Sequence, residues 1–253
     1  MKKPAALFPL LALLAVACSG IPVVPGVAAV AVPPAVTDRG QTVYFGSSFP
    51  LKGDAQSPTF VYERRVAEVD GRLVSTHLTR DPAGALVFAD SAVHGPDYTL
   101  LDYTLHTNQF GQTGSVHVGA TEVTFQLGEQ RKVEKPTLPV VVGPTLVGFI
   151  FKRLDRLRAG ETLGVRFAVL DRLETLGFEL VAVPSADGQT RVKMSPSSFL
   201  IGLAVDPVFF TFETEGETLT RIEGRVPPKV RVVDTWRDFD ARVEYRYVAA
   251  AYR

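Results

Sequence analysis

The sequence predicts a mainly β protein: a curved antiparallel sheet, bent into a barrel or half-barrel, with one central α-helix at about 144–158. Three observations carry this. From Thr59 onward, apolar and polar residues alternate with a period of two over repeated short runs. Turn dipeptides, Asp70-Gly71, Asp187-Gly188 and Glu215-Gly216, separate several of those runs. One segment switches to a helical period, with Leu146, Ile150, Leu154 and Leu157 recurring at spacings of four, four and three. About a dozen strands exceed what one flat sheet of ordinary width holds. The sheet has to curl, and the helix is the natural plug for its concave face.

The chain opens with Met1-Lys2-Lys3, runs through an apolar stretch from Ala5 to Leu14, and reaches Ala15-Val16-Ala17 ahead of its one cysteine, Cys18. A basic start, a short apolar run and small residues before a cut describe a secretory signal peptide over 1–17. The run falls short of the roughly 20 apolar residues that a spanning helix needs. The segment ending at Cys18 resembles the lipobox of bacterial lipoproteins, with Ala15 where leucine is usual. The resemblance implies a diacylglyceryl group on the Cys18 thiol, cleavage just before it, and acylation of the new amino group, with palmitate as the expected kind of acyl chain. Two or more chains anchor stably, where one binds a membrane only at about 10⁴ M⁻¹. By the same resemblance, Ser19 favours the outer membrane, facing the periplasm, over the inner membrane. The alternative is an ordinary signal peptide cut after Ala17, with an incidental cysteine.

Loss of the signal removes Lys2 and Lys3 and leaves 25 basic against 27 acidic residues, a net charge of −2. Nothing in that balance predicts nucleic acid as a partner, which calls for a basic patch or stripe. With Cys18 acylated no thiol is left for a disulfide, a nucleophile or a soft metal site, so the core alone has to hold the fold. Residues 18–40 form a Pro/Ala/Val-rich tether; prolines 22, 25, 33 and 34 argue against a helix there. Residues 41–253 are read as a single β-rich domain.

Within that domain, Gln41 to Phe45 suggests a first short strand, followed by a loose stretch to Pro58. Phe60, Tyr62, Val66 and Val69 mark the next strand, and Asp70-Gly71 turns it back. Arg72 to Arg80 returns with Leu73, Ser75, His77 and Thr79 on one face and Val74, Thr76 and Leu78 on the other. Asp81-Pro82-Ala83-Gly84 is a further turn. Ala85–Val93, Tyr98–Gln109, Ser115–Gly119 and Thr121–Leu127 continue a meander, with Gly111 to Gly114 as a turn inside it. Pro144 then starts the helix at its first position, and Thr145 to Arg158 carries the apolar stripe, widened by Phe149 and Phe151. Lys152, Arg153, Arg156 and Arg158 suit the negative end of the helix dipole, and Gly160 stops it.

Strands resume at Leu163–Leu170, Leu176–Pro184, Gln189–Met194, Val208–Glu213, Leu219–Val226, Val230–Thr235 and Arg242–Tyr252. Ser197 to Val205 suits either a short helix or a strand. Pro227-Pro228 interrupts the sheet and suits an edge. Arg242, Glu244 and Arg246 mark a wet strand face.

The order of elements around VGPTLVGFIFKRLDRLRAGETLGVRFAVLD, with the later FFTFETEGETLTRIEG, is similar to that of uncharacterised periplasmic proteins with a curved antiparallel sheet around one helix. The wider architecture resembles the lipoprotein-carrier half-barrels. That resemblance implies a concave face that accommodates acyl chains, and it carries over no functional residue, because fold alone does not fix function.

Chemical motifs are sparse. Histidines 77, 94, 106 and 117 form no H-E-x-x-H pair, so no metal site is assigned, and His77 and His106 are read as ordinary sheet residues. Ser195, Ser197 and Ser198 lack a G-x-S-x-G elbow and suit turn or capping chemistry. Asp238 and Asp240 are read as a turn before the last strand. No catalytic residue and no cofactor is assigned. The expectation is a membrane-anchored, non-catalytic periplasmic lipoprotein that binds a lipid or other apolar ligand, or an envelope protein partner. Leu146, Phe149, Ile150 and Leu154 on the helix either face a cavity or are only core. The alternatives are a structural or assembly lipoprotein acting only through protein contacts, and an envelope hydrolase.

Overall fold

The computed structural model describes residues 40–135, 139–203, 205–213 and 218–248. The signal at 1–17, Cys18, the tether before residue 40 and the Glu215-Gly216 turn lie outside these residues. Fifteen strands among the described residues make one sheet. The first half runs β1 (Gln41–Pro50), β2 (Phe60–Val69), β3 (Arg72–Arg80), β4 (Leu86–His94), β5 (Leu100–Thr107), β6 (Gln112–Val118), β7 (Val123–Leu127) and β8 (Gln130–Glu134). The second runs β9 (Val140–Val141), β10 (Leu163–Val169), β11 (Glu174–Val183), β12 (Gln189–Pro196), β13 (Val208–Glu213), β14 (Leu219–Val232) and β15 (Thr235–Tyr247).

β1 and β15 pair in the middle of the sheet, and each half then steps outward strand by strand to β8 on one side and β9 on the other. Neighbours are antiparallel except β9 and β10, which run parallel. The β2–β3 hairpin shows the local logic. Asp70 and Gly71 take φ of 52° and 71°, the paired left-handed conformations that a two-residue turn needs and that Asp-Gly tolerates.

The two ends of the sheet curl towards each other. The Thr175 N–H on β11 donates to the Glu134 carboxylate on β8 at 2.9 Å. Leu170, in a short 3₁₀ turn (Leu170–Arg172), lies on Gly114 of β6, where a methyl group would overlap it. Below this seam Leu100, Tyr103, Val116, Val123 and Phe125 pack with Val140, Val142, Ala168, Leu170 and Leu173. Side chains, and not a continuous ladder, close the curl.

The interior segment begins where Pro144 stands in the first turn of α1 (Gly143–Phe151) and the Val142 N–H donates to the Thr145 hydroxyl at 3.0 Å. The expected helix is interrupted once. At Arg153 φ is −126° and ψ 11°, and the chain restarts as α2 (Leu154–Arg158). The Arg153 N–H turns to the Ile150 carbonyl, and the Arg153 guanidinium donates to the Phe149 carbonyl at 3.2 Å instead. The side chain thus supplies a donor that the backbone withdrew. Gly160, with φ of 87°, follows the end of α2 as expected.

α1 lies over β3 and β4 of the first half and beside β9, α2 lies against β11 and β12, and the buried side chains of both reach the second half of the sheet. Phe149, Ile150, Leu154 and Leu157 pack with Val165, Leu180, Val192, Phe210 and Phe212. Tyr98, in the β4–β5 turn, lies flat against α1 because Gly148 has no side chain; a methyl group there would overlap the Tyr98 ring. Tyr98 itself holds φ of 64°, uncommon for an aromatic residue, and stacks on His94 at 4.6 Å. Gly148→Ala is therefore expected to destabilise the fold by about 1–3 kcal/mol through overpacking. Urea unfolding should show a lower midpoint at unchanged slope, and an unchanged midpoint would contradict this account.

Several sequence expectations need correction. β8 had no strand signal, because Gln130, Arg131 and Lys132 are exposed on a charged edge. The turn assigned to Gly111–Gly114 falls instead at 108–111, and Gly114 is buried inside β6. Leu219–Val226 and Val230–Thr235 are not two strands: β14 continues through Pro227-Pro228, with a register shift between Val226 and Val230. β13 pairs with β14 only as far as Glu223, so the prolines lie where that side has no partner, as an edge. Asp238 and Asp240 lie within β15, not in a turn, and the Arg225 guanidinium meets them at 2.6 and 2.8 Å. Phe239 between them points inward with 5% exposure, so the alternation is that of a strand. Ser197 to Val205 contains a short helix, α3 (Phe199–Gly202).

Candidate functional site

The strand registers set one polar row across the first half of the sheet. Tyr44 on β1 stands opposite Arg64 on β2, Arg64 opposite His77 on β3, and His77 opposite Asp90 on β4. Period-two alternation turns this row inward together with Ser75 and Thr79. Arg64 is buried and donates to the Ser75 hydroxyl at 3.0 Å. Ser75 lies 2.8 Å from Nε2 of His94, whose Nδ1–H donates to the Gly95 carbonyl at 2.8 Å. That carbonyl fixes the tautomer, so Nε2 accepts from Ser75. Burial lowers the pKa of His94, the carbonyl bond opposing it, and the ring is neutral.

Beside this row lies a cavity of about 150 Å³. Its polar end is formed by Tyr44, His77 and Asp90, with Gly143 at the start of α1 closing over them. Leu146 and Val147 of α1 and Phe167, Met194 and Phe210 of the second half supply apolar walls. Arg225 and Pro227, both exposed, mark the mouth. The mouth is crossed by the far part of the β14–β15 hairpin. Tyr62 donates its hydroxyl to the Pro227 carbonyl at 2.7 Å, and Gln109 exchanges two hydrogen bonds with the Lys229 backbone at 2.8 and 3.1 Å. Phe110 meets Trp236 edge-to-face at 5.3 Å.

The electrostatics of the polar end are unusual. Nδ1 of His77 and Oδ1 of Asp90 are 3.8 Å apart, close enough for an ion pair if both were charged. Burial pushes them the other way. It raises the Asp90 carboxyl to about 7, against the opposing bond from Tyr103, and lowers His77 to about 3, helped by the charge of Arg64. At neutral pH His77 is uncharged and Asp90 is near its midpoint, so the pair is not a salt bridge. The Tyr103 hydroxyl donates to Oδ2 of Asp90 at 3.0 Å. Oδ1 is buried and has no hydrogen-bond partner among the described residues. The Tyr44 hydroxyl lies 3.1 Å from Nε2 of His77. The 20% of the His77 side chain left open belongs to a residue that lines the cavity.

Of the helix residues singled out in the sequence, Leu146 lines the cavity, while Phe149, Ile150 and Leu154 lie in the core beside it. Cys18 lies outside the described residues. Ser195 is in β12, and Ser197 and Ser198 lead into α3; among the described residues no hydrogen bond joins them to a histidine. No three His, Cys, Asp or Glu side chains come together there as a metal site. No helix of the described residues is long and apolar enough to cross a membrane.

The chain is similar in structure to a β-barrel-like protein of domain of unknown function DUF1849 from Brucella abortus, at 9% sequence identity and a TM-score of 0.47, over 83% of this chain and 97% of that one. No protein-family model matches the sequence, and no curated protein matches it.

Proposed function

We propose that this protein is a lipid-anchored, non-catalytic component of the bacterial cell envelope that binds a small apolar ligand inside its curled sheet. The observation that carries the reading is the cavity under α1, apolar along its walls, polar at its inner end and open at one mouth. A concave, mostly apolar site with a few convergent polar groups is what small-ligand recognition uses. Its volume sets the scale: a cavity of about 150 Å³ admits a molecule the size of benzene. A whole acyl chain exceeds that, so a lipid enters only by one end. Anchoring through acylated Cys18, in the outer membrane facing the periplasm, supplies the place where such a ligand is met.

The test is native mass spectrometry of the Cys18→Ser form purified from the periplasm. A stoichiometric small molecule of added mass is the expected result, and a clean apo mass counts against ligand binding. In cells, labelled palmitate is expected in the wild type and absent from Cys18→Ser; label in both forms would remove Cys18 from the reading. A protein partner is the second reading. Phe199, Leu200 and Leu203 fall together on the β12–β13 connection at 80%, 77% and 72% exposure, where single scattered apolar residues would need no explanation. Reproducible crosslinks to an envelope protein from this loop would favour it.

A further inference from the structure

We infer that the gap between Asp90 Oδ1 and His77 Nδ1 is a subsite for one hydroxyl group, and that the cavity takes a small amphiphile with an apolar body and that hydroxyl at its inner end. The inference rests on the reading that the cavity binds a ligand. Two polar atoms 3.8 Å apart are too far to bond each other, but one oxygen set about 2 Å to the side of the line joining them would reach both at roughly 2.8–3.0 Å. Taken as the donor of its bond to Nε2 of His77, 3.1 Å away, the Tyr44 hydroxyl puts the ring proton on Nδ1 as a donor facing the gap. Oδ1 of Asp90 is buried and unbonded, while Oδ2 is already held by Tyr103. A buried carboxylate oxygen without a partner is costly and calls for a donor.

Only some head groups satisfy both sides. A hydroxyl accepts from Nδ1–H and donates to Oδ1. Against ionised Asp90, the state the test uses, a carboxylate would bring a second negative charge and a carbonyl would leave Oδ1 without a donor. The walls beyond the gap, Leu146, Val147, Met194 and Phe210, offer only apolar contact to the rest of the ligand. The volume limits that body to about six carbon atoms, unless a longer tail leaves through the mouth. A water molecule has the same hydrogen-bonding chemistry as a hydroxyl, so the test has to separate the two.

Phenol and toluene are matched in shape and differ in one hydroxyl for one methyl group. Their affinities for Cys18→Ser protein are measured by calorimetric titration at pH 8, where Asp90 is ionised and phenol is not. Phenol is expected to bind at least about ten-fold more tightly, because a site built for a hydroxyl discriminates strongly against its absence. In Asp90→Leu the order is expected to reverse, with toluene binding retained as proof that the cavity has survived. His77→Leu removes the other partner and is expected to erase the preference, which keeps the test open if Asp90→Leu does not fold. Toluene binding as tightly as phenol in the unsubstituted site, or a phenol preference that survives both replacements, overturns the subsite and leaves the gap to water. Failure of both compounds to bind overturns the ligand-binding reading itself, a distinct result.

Discussion

Replacing Phe149 with alanine is expected to lower stability by about 3–5 kcal/mol, the range for a fully buried aromatic ring lost from a core. Phe149 is 2% exposed and packs in the cluster that joins α1 to β10–β13, without lining the cavity. Its loss also removes the ring under the Arg153 guanidinium, which lies 3.6 Å from the ring centroid, and leaves that cation over a hole. Arg153 is the residue that bridges the break between α1 and α2, so the damage reaches both helices. Equilibrium urea unfolding measures it. A loss under about 1 kcal/mol would mean that the core does not depend on this ring. Leu146 provides the contrast, since its side chain has the cavity on one side. Leu146→Ala enlarges a space that already exists, and its cost belongs near the lower end of the roughly 2–5 kcal/mol range for such truncations.

The fold was legible wherever one physical rule decided the local structure. β3 and the Asp70-Gly71 turn follow directly from alternation and from the φ values that Asp-Gly accepts. The buried helical stripe was legible for the same reason, because Leu146, Ile150, Leu154 and Leu157 share a face. Its interruption was not. At the break Arg153 folds back over Phe149, and spacing says nothing about that contact. β8 escaped because an edge strand with Val133 as its one apolar residue has no periodic signal to read. The curl of the sheet was legible as a matter of strand number, whereas the seam at Gly114 and Leu170 depends on a tertiary contact.

The candidate site was legible only in fragments. Ser75, His77 and Thr79 were placed on one strand face from the sequence, and the site lies on that face. Histidine in a strand is usually an ordinary residue, and nothing local set His77 apart. Its significance comes from register, which brings it beside Asp90 thirteen positions later and beside Arg64 thirteen positions earlier. Asp90 had one available signal: it is the only charged residue in β4, Leu86–His94. An isolated carboxylate on the buried face of a strand has to be paired, neutralised or functional.

The pair makes a second large prediction, because its two members bias stability in opposite directions. Asp90 keeps its proton in the folded state up to about pH 7, while the unfolded chain releases it near 3.8. Its contribution is therefore fully present below about pH 4 and is lost as the pH rises towards 7. His77 behaves inversely, since the unfolded chain binds a proton near 6.5 that the folded state refuses until about 3. Its contribution is present above about pH 6.5 and is lost as the pH falls towards 3. Between about pH 4 and 6.5 the slopes oppose each other at up to about 1.4 kcal/mol per pH unit each, so the intact pair contributes little net pH dependence. Asp90→Asn leaves the His77 slope uncovered, and stability relative to the wild type is expected to rise by roughly 2–3 kcal/mol from pH 4.5 to 6.5. His77→Gln uncovers the other slope, and relative stability is expected to fall by a similar amount over the same interval. Differences from the wild type at each pH cancel the titration of every other group. Urea midpoints for the three proteins at the two pH values decide the matter. Parallel shifts in both variants would mean that Asp90 and His77 titrate alike in the folded and unfolded chains, and that burial does not hold the pair uncharged.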